Sequence, residues 1–101
     1  MNIAIFGGTF DPPHYGHLMI AEEVLRACSL DAVWFMPSPS PPHKAGKTIT
    51  DSRHRIEMVR MAIADNERFH LSLIEFEREG PSYTFDTIKE LVKNHPDDRF
   101  F

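Results

Sequence analysis

The chain has 101 residues, 42% hydrophobic and 26% charged, which is the size and composition of one ordinary globular domain. Its formal net charge of −4 counts against binding to nucleic acid or to an anionic membrane surface, since both favour a basic protein. We find no apolar run of about 18 residues that would span a bilayer and no signal-peptide pattern at the start. The single cysteine, Cys28, excludes an internal disulfide, so we expect a cytoplasmic protein.

The first half of the chain alternates between strand-like and helix-like patterns. Residues 2–6 form a short apolar run rich in isoleucine, typical of a buried strand, and residues 32–36 form a second. Between them, apolar residues from 15 to 28 recur three and four apart, which predicts one face of a helix. Four prolines within residues 37–42 exclude a helix or an interior strand there, so a long loop follows the second strand.

The second half continues the alternation. Asp51 or Ser52 can cap a second helix, residues 69–74 predict a third strand nearer an edge, and residues 99–101 begin a fourth. Thr84 can cap a third helix. The expected inward-facing helix residues are Ile56, Val59 and Ile63 in the second helix, and Phe85, Ile88, Leu91 and Val92 in the third. We also expect Trp34 and Cys28 to be buried, Met58 and Met61 to lie in or near the core, and Glu75 to lie in a solvated charged turn.

This order of elements predicts an α/β fold: a three-layer, Rossmann-like parallel sheet with helices on both faces. The two phenylalanines at 100–101 read as the opening of a strand, so we expect a chain truncated at the start of the fourth strand. Ligands of such sheets bind beyond the carboxyl ends of the strands. The candidate site therefore lies among the loops 7–14, 37–51 and 76–83.

The loop after the first strand has the features of a phosphate site. The glycine pair at 7–8 lets the backbone approach a ligand, and the next two amides can donate to phosphate oxygens. A helix beginning near residue 15 adds its positive N-terminal end. His14 and His17, three residues apart, lie on one face at that end and can reach the same ligand.

Two other interpretations of this loop stay open. Histidines at this spacing can form half of a zinc site, although Cys28 lies far from the turn and Asp11 is the only acidic residue close in sequence. The glycine pair can also be a tight turn and nothing more. It lacks the Lys-Ser/Thr ending of a P-loop and the third glycine of a dinucleotide fingerprint.

Residues 7–18, GGTFDPPHYGHL, resemble the signature of the nucleotidyltransferase superfamily that carries a His-x-Gly-His element. The segments WFMP at 34–37, PPHK at 41–44 and GPSYTFDT at 80–87, with Arg55 and Met58, are together similar to bacterial nicotinate-nucleotide adenylyltransferases. The resemblance covers the whole chain in order and spacing. It implies that residues 1–101 are the N-terminal part of a single nucleotidyltransferase domain, and that this part alone is inactive.

The resemblance also implies an activity and a set of site residues. The family transfers the adenylyl group of ATP to nicotinate mononucleotide, with Mg2+ bridging the phosphates. Mapped by motif, the catalytic pair is His14 and His17, and the ATP phosphates are bound by Gly8, Thr9, Phe10 and Lys44. Tyr83 and Thr84 lie at the nicotinate end. Arg55 is either a functional residue or an anchor for the proline-rich loop.

Several alternatives remain open from the sequence. A sister enzyme, such as a pantetheine-phosphate adenylyltransferase or a glycerol-phosphate cytidylyltransferase, shares the glycine turn and the histidines but not the GPSYT segment. A fragment of a class I aminoacyl-tRNA synthetase fits less well, because the chain is small and acidic. A non-catalytic nucleotide-binding module is a further possibility, and the chain can also be a homo-oligomer.

Overall fold

A computed structural model describes residues 1–8, 10, 13–38, 52–76 and 84–101 of the chain. Within these ranges the elements are β1 (Asn2–Gly8), α1 (Tyr15–Ala27), β2 (Ala32–Pro37), α2 (Ser52–Ile63), β3 (Phe69–Leu71), a 3₁₀ turn (Ile74–Phe76), α3 (Thr84–Asn94) and β4 (Arg99–Phe100). None of these helices is long and apolar enough to cross a membrane.

The four described strands form one parallel sheet in the order β3-β2-β1-β4. Strand β1 pairs with β2 over six residues, from Ile3↔Ala32 to Gly8↔Pro37. Strand β3 lies at one edge of this sheet, as its alternating pattern predicts. The chain thus builds the sheet outward from β1 in one direction and then crosses back to place β4 on the other side.

Helices cover both faces of the sheet. On one face, strand residues Ala4, Val33 and Phe35 are buried against α1 and α2, through Ala21, Leu25, Val59 and Ile63. On the opposite face, Met36 packs with Ile74 and with Leu91 of α3. Right-handed connections place helices on opposite faces when the chain reverses its direction across a sheet. The predicted three-layer Rossmann-like fold is confirmed.

Several local expectations are wrong. The third strand ends at Leu71, and the chain then forms the 3₁₀ turn instead of continuing extended to residue 74. Cys28 is exposed, because α1 ends at Ala27 and the chain turns away there. The side chains of Met61 and Val92 are 74% and 51% exposed. Trp34 is only half-buried.

Candidate functional site

The carboxyl ends of β1 and β2 lie side by side. Gly8 pairs with Pro37 at the end of both strands. The next residue, Ser38, donates its backbone N–H to the Gly8 carbonyl at 2.9 Å and its hydroxyl to the same oxygen at 3.3 Å. The chain segments that follow β1 and β2 are therefore joined where they begin, by the hydrogen bonds between Ser38 and Gly8. Strand β1 lies at the position where the strand order reverses, and ligands of such sheets bind beyond the carboxyl ends of the strands at that position.

Phe10 holds the glycine turn against the core. Its backbone has φ 51°, an unusual value for a residue with a side chain, and its ring is 3% exposed. A Cβ atom added to Gly8 would lie 3.4 Å from the Phe10 Cζ atom, so the ring packs directly against this glycine. The Phe10 ring also makes edge contacts with Phe6 and His17, at centroid distances of 5.5 and 5.1 Å. Core packing thus holds Phe10 against the end of β1 and beside His17.

His14 and His17 together cap the N-terminus of α1. His14 is the N-cap residue, and its Nδ1 atom accepts the backbone N–H of Gly16 at 3.0 Å. The Nδ1 atom of His17 accepts the backbone N–H of His14 at 2.9 Å. The two rings stack with centroids 3.8 Å apart. This is the reciprocal pattern that Ser or Thr with Glu or Gln usually forms at a helix start, here built from two imidazoles.

The capping bonds determine which ring nitrogens can bind a ligand. A nitrogen that accepts a hydrogen bond from an amide cannot carry a proton, so in the neutral form each ring bears its proton on Nε2. Each Nε2–H is then a donor that the helix cap does not use. The prediction that the two imidazoles share one face is confirmed, and together they present two donors at the positive N-terminal end of α1.

The surroundings of His17 favour its neutral form. Burial lowers the pKa of His17 below its ordinary value of 6.5, and the neighbouring His14 lowers it further. The rings of Phe6 and Phe10 supply much of that apolar cover, at 5.9 and 5.1 Å from the imidazole. A neutral ring at pH 7 keeps its Nδ1 acceptor, and with it both the cap and the orientation of the Nε2 donor.

Arg55, in α2, binds the chain at the same end of the sheet. Its side chain is 0% exposed, and Nη1 donates to the Ser38 carbonyl at 2.8 Å. A series of hydrogen bonds therefore runs from α2 through Ser38 to Gly8. This geometry favours the loop-anchor interpretation of Arg55.

The structure brings together only part of the predicted site. Gly8, Phe10, His14 and His17 form one cluster at the end of β1. Thr84 is the first residue of α3, on the other face of the sheet, and its side chain lies outside the described part of the chain. The predictions for Thr9, Lys44 and Tyr83 also fall on residues outside the described ranges.

The site residues predicted from the sequence did not include two further members of this cluster, Gly16 and Ser38. Ser38 bonds Gly8 across the sheet, and no local pattern signals a contact between residues thirty apart. Gly16 is required because the His14 ring lies over it: a Cβ there would be 2.8 Å from His14 Cε1. The glycine between the two histidines was a signal of this close packing. In the described ranges, no three His, Cys, Asp or Glu side chains lie close enough to bind one metal ion together.

The chain is similar to known adenylyltransferases in sequence and in fold. The chain is 58% identical over 99 residues to the nicotinate-nucleotide adenylyltransferase of Bacillus subtilis, covering 98% of this chain and 52% of that protein. A Geobacillus thermodenitrificans protein named "Probable nicotinate-nucleotide adenylyltransferase" is 57% identical over 99 residues, covering 98% and 46%. A solved structure of the Plasmodium falciparum nicotinic acid mononucleotide adenylyltransferase, complexed with NaAD, superposes with a TM-score of 0.82 and 25% identity, covering 98% of this chain and 49% of that one.

The chain spans about half the length of the curated relatives it matches. A cytidylyltransferase-like family model matches residues 5–101, nearly the whole sequence. The resemblance inferred from the glycine turn and the two histidines is confirmed. The chain belongs to the cytidylyltransferase-like family.

Proposed function

We propose that the whole protein transfers the adenylyl group of ATP to nicotinate mononucleotide, giving nicotinate adenine dinucleotide and pyrophosphate. The observation that carries the proposal is the stacked pair of His14 and His17 at the start of α1, beside the glycine turn. The names of relatives 57–58% identical to this chain support the choice of donor and acceptor.

The reaction needs alignment and charge stabilisation rather than a nucleophile from the protein. A phosphate oxygen of the mononucleotide attacks the α-phosphorus of ATP, and the bond from that phosphorus to the departing pyrophosphate breaks. Negative charge then grows on the pyrophosphate. Fixed N–H donors placed where charge develops are effective in such transfers because they need no reorganisation.

His14 and His17 supply those donors. Each ring has its Nδ1 committed to the helix cap, which leaves Nε2–H for a phosphate oxygen. The N-terminal end of α1 adds its partial positive charge at the same place. We assign both histidines to the phosphates of ATP, and we assign the backbone at Gly8, Thr9 and Phe10 to the walls of the same channel.

The remaining assignments come from the motifs. Lys44, from the loop after β2, would neutralise phosphate charge. Tyr83 and Thr84, at the start of α3, would contact the nicotinate end of the acceptor. Mg2+ would be held mainly by the ATP phosphates and water, as this ion usually is in such sites. The described residues of the cluster fit that arrangement, because they offer N–H donors for phosphate. We place the reaction in the cytoplasm.

Acceptor competition tests the proposed function. The whole protein is incubated with ATP and Mg2+ and with one of three acceptors: nicotinate mononucleotide, nicotinamide mononucleotide or phosphopantetheine. We expect nicotinate adenine dinucleotide and pyrophosphate to form in equal amounts with the first acceptor at the highest kcat/KM. Preferential adenylylation of phosphopantetheine would identify a sister enzyme. No transfer to any acceptor, with ATP still bound in a calorimetric titration, would indicate a non-catalytic nucleotide-binding module.

A further inference from the structure

A hydrogen bond between α3 and the 3₁₀ turn joins the two ends of the segment that leads to the predicted nicotinate-binding residues. Thr87 Oγ1 donates to Glu75 Oε2 at 3.1 Å. Glu75 lies in the 3₁₀ turn and Thr87 in the first turn of α3, so the bond joins the two described elements that flank residues 77–83 in sequence. We propose that Thr87 and Glu75 are positioning residues for the mononucleotide acceptor, an inference that rests on the proposed function.

The burial of Thr87 shows that its hydroxyl is not an incidental surface group. The residue is 2% exposed, one of two polar or charged residues in the described core, the other being Arg55. A hydroxyl without a partner at such a position is destabilising, whereas a valine of the same shape needs no partner. A valine would fill the same space in the core equally well. What threonine adds is a hydroxyl that makes a directional hydrogen bond to the Glu75 carboxylate.

Apolar contacts hold the two elements together but do not set their rotation. Ile74 of the 3₁₀ turn, Leu91 of α3 and Met36 of β2 form one buried cluster, with Ile88 packed against it. Such contacts are non-directional, so they tolerate a small rotation of α3 about its axis. The Thr87–Glu75 bond is directional and opposes that rotation.

The position of Thr87 transmits this constraint to the candidate acceptor site. Thr84 is the first residue of α3 and lies three residues before Thr87, within the same first turn of the helix. Fixing Thr87 against Glu75 also fixes the backbone at the start of α3, where the chain leads into the helix from the candidate acceptor site. Loss of the bond is expected to weaken acceptor binding without altering the histidine cluster, which lies on the other face of the sheet at α1.

Steady-state kinetics of the whole protein, with ATP and nicotinate mononucleotide varied separately, test this. In Thr87→Val we expect KM for the mononucleotide to rise about tenfold, since a bond to a charged acceptor is removed, while KM for ATP and kcat stay within about twofold. Thr87→Ser keeps the hydroxyl and should restore most of the acceptor affinity. Glu75→Ala removes the other partner, and it should raise KM in the wild-type background but add little to Thr87→Val.

Leu91→Val is the matched control for a merely structural effect. Leu91 is buried in the same cluster and lies on the same helix, one turn beyond Thr87. The Leu91→Val substitution should lower the unfolding midpoint and leave the KM values for ATP and for the mononucleotide unchanged. An unchanged acceptor KM in Thr87→Val, or equal increases in both KM values, would overturn the inference. If Thr87→Val does not fold, the same criteria apply to Glu75→Ala. Wild-type protein that makes no nicotinate adenine dinucleotide would instead overturn the proposed function, and this inference with it.

Discussion

Arg55 donates from Nη1 to the carbonyl of Ser38 at 2.8 Å, which ties the second helix to the start of the loop after β2. Ser38 in turn donates twice to the Gly8 carbonyl. A fully buried guanidinium carries a large desolvation cost and is stable only when its donors are well paired. The series of bonds from α2 to Gly8 gives the buried guanidinium a backbone partner and links the candidate phosphate site to the core.

Replacing Arg55 should therefore affect stability and ATP binding together. Arg55→Met removes the donor to Ser38, and we expect a loss of about 2–3 kcal/mol in the free energy of unfolding, together with weaker ATP binding. Urea denaturation and calorimetric titration of the whole protein measure the two effects. Arg60→Met is the matched control, because Arg60 lies on the outer side of the same helix in an exposed pair with Glu57. Equal changes in the free energy of unfolding and in ATP affinity in the two variants would contradict the role of Arg55.

Gly16→Ala should separate stability from activity. Alanine favours a helix over glycine by about 1 kcal/mol, but its Cβ would lie 2.8 Å from His14 Cε1 and 2.9 Å from Nδ1. The His14 ring must move, which breaks the stacked pair and its cap. We expect adenylyl transfer by the whole protein to fall at least tenfold while the unfolding midpoint changes little. Wild-type activity in this variant would show that the ring position is unimportant.

The end of α1 offers a stabilising substitution. Ser29 has φ 52°, and the N–H groups of Ser29 and Leu30 bond back to Arg26 and Leu25, the pattern in which glycine is preferred. Ser29→Gly should raise the free energy of unfolding by about 1 kcal/mol. Ser72→Gly, the same exchange at a position without a positive φ, should lower it. Urea unfolding of both variants checks the prediction, which would be wrong if they shifted in the same direction.

The lowered pKa of His17 predicts a pH dependence of stability. Because the folded state binds a proton at this ring less readily than the unfolded state does, His17 contributes stability above its unfolded pKa near 6.5. That contribution is lost as the pH falls through 6.5 and on through the lower folded pKa. His17→Gln keeps a cap acceptor for the His14 amide but does not titrate. Unfolding curves between about pH 8 and 5 should show a smaller decline for His17→Gln than for wild type, and parallel curves would contradict this.

The sequence predicted the parts of the site that depend on local spacing. His14 and His17 share a helix end because three residues make about one turn. The glycine pair was expected to follow the first strand but forms its last two residues, because both glycines still pair with β2. Arg55 lies four residues before the buried Val59, on the core-facing stripe, although its burial was not predicted. The bonds from Ser38 to Gly8 and from Thr87 to Glu75 join segments brought together only by the fold, and no local pattern indicates them.

Errors in the predicted core have a geometric cause. With about 100° per residue, Ile88 lies about 60° and Val92 about 100° around α3 from Leu91. Burial decreases in that order, from 2% exposure at Leu91 to 51% at Val92. Met61 lies about 200° from Val59 on α2, which is the solvent side. The apolar residue types predicted a wider buried face on α2 and α3 than the part of each helix that packs against the sheet.

The decisive measurement is the single-turnover rate of adenylyl transfer by the whole protein, compared between wild type and His17→Ala at saturating ATP and nicotinate mononucleotide. If the Nε2–H donors of the stacked histidines stabilise the departing pyrophosphate, the rate should fall by about 30- to 1000-fold, corresponding to about 2–4 kcal/mol of transition-state stabilisation. A His17→Ala rate within about twofold of wild type would contradict the role of the pair.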